Sequence, residues 1–323
     1  MCQLVYREKD LAQLPERGQI TSMSPSAARC TAVLVVLGAL SACRERAPDR
    51  ADSSRTAPPP PAAPLNATNW NLEAGPVMVL ALEGDSVAIV LPQATDSSMP
   101  FQESPALQSD LKLDLVGRSG TVGSAVVSPI TRTAGAAECR AWPAGRIKPR
   151  RNGWRVGFPA GRVSAVSLRP IEAMSSVDSA ALAGAIAQNV AALPLESDSD
   201  FRGLPFRVRS AHTFRADSIE GVVADVVRSV NEEANPRLEH LFVIGERPLG
   251  SSARHKVAFF SRTAGAEDDA EITELLAVVL IGPKRLPTAV VNVEYDEGGK
   301  LGLIERTAPG EWDFRWRSAY AGC

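Results

Sequence analysis

Val77-Met78-Val79-Leu80-Ala81-Leu82, then Glu83-Gly84-Asp85, then Val87-Ala88-Ile89-Val90-Leu91 are two apolar runs rich in branched residues and joined by turn chemistry. This predicts a β-hairpin. Neither run alternates with polar residues, so both of its faces are expected to be covered. The same grammar continues downstream. Leu111-Lys112-Leu113-Asp114-Leu115 alternates as a half-buried strand does. Strands are predicted at 120–130, 154–158 and 163–168, then at 206–214, 222–230, 238–244, 256–261, 271–281, 289–295, 301–305 and 312–316. Gly298-Gly299 and Pro309-Gly310 mark turns between the last of them. Evenly spaced short strands imply a mainly β (α+β) fold of antiparallel sheets, as a sandwich or an open barrel.

The period changes once. Ser175 to Leu193 is rich in alanine, has Ser175 or Ser176 as N-cap and Asp178 in the first turn, and stops at Pro194. This predicts one central helix near 176–193. Val177, Ala181, Ile186 and Val190 are expected on its buried side. The acidic loop from Glu196 to Asp200 sets a boundary between a β unit with the helix (70–195) and a second β unit (196–323). The two are expected to pack as one body.

Upstream of Trp70 the composition shifts. Arg44 to Asn69 is dominated by Arg, Asp, Ser, Ala and Pro, around Pro58-Pro59-Pro60-Pro61. Such a stretch cannot bury a core. Its prolines favour extended polyproline II, so residues 43–69 read as a tether reaching about 80 Å at full extension. Before it, Thr31 to Leu40 is apolar and uncharged, and it is far shorter than the roughly 20 residues a spanning helix needs. Arg29 precedes it and Leu40-Ser41-Ala42-Cys43 follows. This pattern resembles the signal peptide and lipobox of bacterial lipoproteins. The resemblance implies that residues 1–42 are a leader that is removed, with translation starting at Met23. It also implies that Cys43 is acylated. The absence of Asp after Cys43, where Arg44 stands, implies the outer membrane. The lipid anchor then makes the membrane a partner.

Removing the leader leaves Cys43, Cys139 and Cys323. With Cys43 acylated, Cys139 and Cys323 form an even pair in an oxidising compartment, and a disulfide is the natural expectation. Two free buried thiols are the competing reading. The net charge of −2 gives no bulk electrostatic case for nucleic acid, and 5% aromatic content weakens any case for base or sugar stacking.

Chemistry-bearing patterns are sparse. Ser109-Asp110-Leu111-Lys112 matches Ser-x-x-Lys, but that chemistry needs a helix and Lys112 lies in a strand pattern. His212, His240 and His255 are the only histidines, and none has metal-ligand spacing, so neither metal nor cofactor is expected. His240 is expected on the polar face of a strand. Arg146, Lys148, Arg150 and Arg151 form a basic stretch that reads as a solvated loop or as a candidate anion-binding surface. Trp312, Phe314 and Trp316 alternate as one aromatic core face.

The expected function is a non-catalytic envelope module whose partner is another envelope protein or an anionic envelope surface. The alternative is an envelope hydrolase with a spatially assembled site. A compact pocket holding His beside Ser or a carboxylate would favour the enzyme. A broad exposed apolar or basic face would favour the module.

Overall fold

The predicted hairpin forms in the computed structural model as β1 (Met78–Ala81) and β2 (Ser86–Val90), paired antiparallel. β3 (Leu111–Gly117) and β4 (Gly120–Pro129) make the next hairpin, followed by β5 (Ala144–Lys148) and β6 (Val156–Pro159). These six strands close into a barrel in the order β1-β2-β5-β4-β3-β6. Closure comes from Val79 and Leu80 of β1 pairing with Gly157 and Val156 of β6. The interior is filled by side chains including Val79, Ile89, Leu113, Leu115, Val127 and Ile147. Burial of both hairpin faces follows from the architecture: one face lines this interior and the other packs on the neighbouring sheet.

The structure describes residues 69–96, 110–129, 141–194, 199–230, 236–266, 270–295 and 297–322. Cys43, Cys139, Cys323 and Ser109 lie outside them. All the described residues fall within one compact unit, Pro64–Cys323.

β7 (Val163–Val166) and β8 (Arg169–Pro170) lead to α1 (Ser176–Ala191). The long strands follow: β9 (Arg207–Ala216), β10 (Ile219–Val230), β11 (Arg237–Pro248) and β12 (Lys256–Ala266). Then come β13 (Ile272–Ile281), β14 (Leu286–Tyr295), β15 (Gly298–Ala308), β16 (Glu311–Arg317) and the short β17 (Ala321–Gly322). They form a five-stranded sheet, β12-β11-β10-β9-β8, and a six-stranded sheet, β16-β15-β14-β13-β7, with β17 added to β15. Strands from before the helix thus edge both sheets: β7 pairs with β13 and β8 with β9.

The layers stack through shared apolar clusters. The barrel packs on one face of the six-stranded sheet through Trp70, Met78, Phe158, Val279, Leu303 and Trp316. The other face of that sheet packs on the five-stranded sheet through Phe214, Val223, Phe242, Val291, Ile304 and Phe314. The outer face of the five-stranded sheet receives α1. The architecture is therefore a β-sandwich flanked by a closed barrel on one side and a helix on the other. Close approach within the sandwich needs Gly221: a Cβ there would lie 2.1 Å from Cζ of Phe214, whose ring lies over the backbone.

Three expectations are corrected. The basic stretch is not simply a loop: β5 runs through it, with Gly145 and Ile147 inside the barrel and Arg146 and Lys148 outside. His240 does not sit on a polar face. It is almost wholly buried on the inner face of the five-stranded sheet, because both faces of that sheet are covered. Finally, the aromatics of β16 are all core but do not share a face. The register shifts between Leu303 and Ile304, so Trp312 and Phe314 enter the sandwich while Trp316 turns to the barrel side. There Trp316 meets Trp70 edge-on at 4.7 Å and donates its indole N–H to the Pro92 carbonyl. No helix among the described residues is long and apolar enough to cross a membrane.

Candidate functional site

α1 is built from helix-forming alanines and begins at Ser175, whose Oγ accepts the Asp178 backbone N–H. One side of the helix is seated, with Leu182 and Ala183 packed beside Ile186 and Val190. Ile186 and Val190 are buried against Ala211, Val222, Ala224, Val226, Leu241 and Val243. Another side is open: Val177 is 76% exposed, and Ala180, Ala181 and Gly184 are also exposed. Val177 and Ala181 therefore do not belong to the buried side expected for them. Beside the helix, along residues from Asp178 to Asn189, runs an open groove of about 1290 Å³. Ligand sites commonly occupy roughly 300–1,000 Å³.

The groove exists because both walls are made of small residues. Ala181, Gly184 and Ala185 line it from the helix, and the floor behind them is buried Val222, Ala224, Val243 and Gly245 with half-buried Val257. Larger side chains at these positions would fill it. The floor's backbone is already committed to ladder pairing between β9, β10, β11 and β12.

One end of the groove carries a row of charge across three strands, Arg215 on β9, Glu220 on β10 and Arg247 on β11. Both guanidiniums grip Glu220: Arg215 Nε donates to Oε1 at 2.9 Å and Arg247 Nε to Oε2 at 2.8 Å. Burial by itself would raise the Glu220 carboxyl, but these hydrogen bonds and charges hold it below its ordinary value. The loop between β11 and β12 forms a side wall and is tied to the helix. Asn189 Nδ2 donates to the His255 carbonyl at 2.8 Å, and Arg254 Nη1 donates to Gln188 Oε1 at 3.1 Å. Burial, with the Arg247 charge, pushes the His255 imidazole pKa down, against the weaker pull of Glu220.

At the other end of the same sheet face a second ion group is centred on a fully buried carboxylate. Glu239 is inaccessible to solvent and bonds both Arg228 and Arg262. Arg228 also donates to the Phe201 carbonyl at 2.8 Å and lies 4.4 Å over the Phe206 ring.

A separate polar cluster lies between the two sheets. It includes His212, Ser210 and Asp225 beside Arg118 and Glu274, which pair at 2.7 Å. His240 Nε2 is 2.8 Å from Asp225 Oδ1, outside the alignment of a hydrogen bond. Burial and the Arg118 charge lower the His212 pKa, against Glu172. Burial and the Glu274 charge raise that of Glu294, against an Asn292 hydrogen bond and Arg209. The cluster holds the residue types of a hydrolytic site, but the void among them is about 20 Å³. That is room for about one water and not for a substrate. Among the described residues no three His, Cys, Asp or Glu converge as metal ligands.

Arg146, Lys148, Arg150 and Arg151 are exposed at the barrel. Arg146 pairs with Asp85 at 3.5 Å. Lys148 shares a cross-strand row with Val126 and Lys112, which places Lys112 on a strand and not at the start of a helix. These cations share the outside of the barrel. They do not reach the groove, whose lining includes none of them.

The sequence reading missed the groove. Its signal was weak but present: a helix with five alanines and one glycine among residues 180–187 has little bulk to seat on a sheet. No protein-family model, no curated protein and no solved structure matches the chain.

Proposed function

We propose that this chain is a lipid-anchored extracytoplasmic binding module, tethered through Cys43 at the outer membrane, which holds an apolar ligand in the groove between α1 and the five-stranded sheet. One observation supports the ligand half of this reading: an open groove of about 1290 Å³ beside α1, where Ala180, Ala181 and Gly184 are exposed. Exposed apolar surface on the helix wall is a standing free-energy cost, at about 25 cal/mol per Å², that a ligand can remove. The lipobox Leu40-Ser41-Ala42-Cys43 supports the anchor. The exposed cations on the barrel support a second contact, with an anionic envelope surface.

The groove is tested with Nile red, a neutral dye that brightens in apolar surroundings. Full-length protein carrying Cys43→Ser is expected to bind it saturably, one dye per chain. Ala181→Trp, at an exposed position facing the groove, is expected to weaken binding about tenfold, or 1.4 kcal/mol, with the melting temperature unchanged. Unsaturable binding, or binding indifferent to Ala181→Trp, would overturn the groove as the site.

The anchor has its own expected result. Mass spectrometry of membrane-extracted protein should find an acylated Cys43 as the first residue, and Cys43→Ser should release the protein from membranes. A mature chain that retains Ser41 or Ala42 would refute the lipoprotein reading.

A further inference from the structure

We infer that the side of the sandwich where β12 and β16 end its two sheets is a two-fold interface between copies of this chain. β12 pairs antiparallel with β12 of a second copy, and the charges of β16 cross from one copy to the other. This stands independently of the groove and of the anchor.

The strand pairing is argued from the edges. β7 and β8, with 4 and 2 residues, are short edges. β16 is bulged at Arg315 and carries a charge at every second residue, and both devices blunt an edge. β12 is different. It runs for 11 residues and, among the described residues, pairs only with β11. From Phe259 to Ala266 it has no bulge, no proline and one charge, Arg262, which is tied back to Glu239. About half of an edge strand's N–H and C=O groups point away from its one neighbour. Such groups are matched by an extended strand. Phe260 stands on this edge, on the same sheet face as Val243, and is 38% exposed.

The second copy is argued from charge. β16 reads Glu311-Trp312-Asp313-Phe314-Arg315-Trp316-Arg317, acidic in its first half and basic in its second. Turned about a two-fold axis through Phe314, the strand sets Asp313 against Arg315 and Glu311 against Arg317 of the other copy. The acidic half needs such a partner. Asp313 stands directly opposite Glu305 of β15, and like charges so placed repel. Among the described residues none of Glu305, Glu311, Asp313, Arg315 and Arg317 forms an ion pair. Arg317 instead lies 4.1 Å over the Phe314 ring. The same axis serves β12. Phe259, two residues from the middle of β12, meets Phe314, the middle of β16, at 5.5 Å. Full overlap of β12 with its copy is centred on Ser261 and sets Phe260 against Arg262 twice, with no like charges opposed.

Sedimentation velocity on the full-length Cys43→Ser protein tests this, in reducing buffer so that no disulfide links the copies. A dimer is expected at micromolar concentration, and added salt should weaken it. Arg315→Glu and Asp313→Arg, each alone, should weaken it about tenfold or more, because each opposes like charges across the axis. Mixing these two variants should restore a dimer of one copy of each, in which every opposed pair is again opposite in sign. Phe260→Lys, which blunts the β12 edge, should also weaken the dimer, with the melting temperature of the monomer unchanged. A monomer throughout the micromolar range would overturn the interface. So would a dimer indifferent to both Arg315→Glu and Phe260→Lys. Variants that weaken the dimer singly and fail to recover on mixing would overturn the charge pairing across β16.

Discussion

Glu246→Ala is expected to lower the unfolding free energy by about 3–5 kcal/mol. Glu246 belongs to β11 in one sheet, and all of its partners belong to the other. Arg306 of β15 grips it through two nitrogens at 2.8 and 3.0 Å, the Gly310 N–H donates at 2.5 Å, and the Trp312 indole donates at 2.8 Å. Four hydrogen bonds thus converge on one carboxylate that is 8% exposed. Removing it leaves a half-buried guanidinium and a buried indole N–H unpaired, and loosens the Trp312 ring packed edge-on against Phe214. Glu246→Gln keeps the shape but places an NH₂ against a donor, and is expected to cost about 1–3 kcal/mol. Urea unfolding reads both, and a change under about 1 kcal/mol for the alanine variant would remove Glu246 as the staple of the sandwich.

The same carboxyl sets a pH dependence. Burial tends to raise it, but Arg306, Trp312 and Gly310 outweigh burial and hold it below its ordinary value. A depressed carboxyl contributes its full stability above its unfolded pKa, near 4.3, and loses it as pH falls through the lower folded value. Glu220 acts in the same sense. His212 and His255 act earlier. Both are held toward the neutral form when folded, so the unfolded chain takes up their protons first and stability declines from about pH 6.5 downward. Glu294 is raised and opposes this. Stability is expected to fall gently below neutral and steeply below about pH 4, and the steep part should be shallower in Glu246→Gln.

Glu239→Ala is expected to cost a further 3–5 kcal/mol or so, in separate protein. Here the carboxylate is wholly buried between Arg228 and Arg262, whose side chains are 10% and 22% exposed. Truncation strands two guanidiniums, that of Arg228 in a nearly buried position. Arg228 remains tied to the Phe201 carbonyl and the Phe206 ring, so it cannot swing out without uncovering that end of the sheet. Urea unfolding should show the loss with an unchanged m value. A cost near zero would mean that the two arginines find water, and that the end of the sheet is open.

Much of this fold was legible because it is local. The hairpin at 77–91, the alternation of Leu111 to Leu115 and the alanine helix each carry their signal within a few residues. β5 was not legible as a strand: Pro143 and Pro149 bracket it, and its outward positions are Arg146 and Lys148, so only Gly145 and Ile147 mark the inside. Closure of the barrel depends on β1 meeting β6, a pairing between residues far apart in sequence. The turn of Trp316 away from Phe314 depends on a single register shift. Glu239 and Glu246 carry no sequence signal of burial, and Glu246 lies beyond the strand predicted at 238–244, yet both faces of β11 are covered. The candidate site was the least legible part. It is a space, produced by alanine and glycine on two elements that meet only in three dimensions.

The most direct test of the groove is hydrogen exchange read by mass spectrometry on the full-length Cys43→Ser protein, with and without Nile red. Slower exchange is expected in peptides covering α1 and the loop from Leu249 to His255, and it should disappear in Ala181→Trp. Protection confined to the barrel, or bound Nile red with α1 unprotected, would contradict the account.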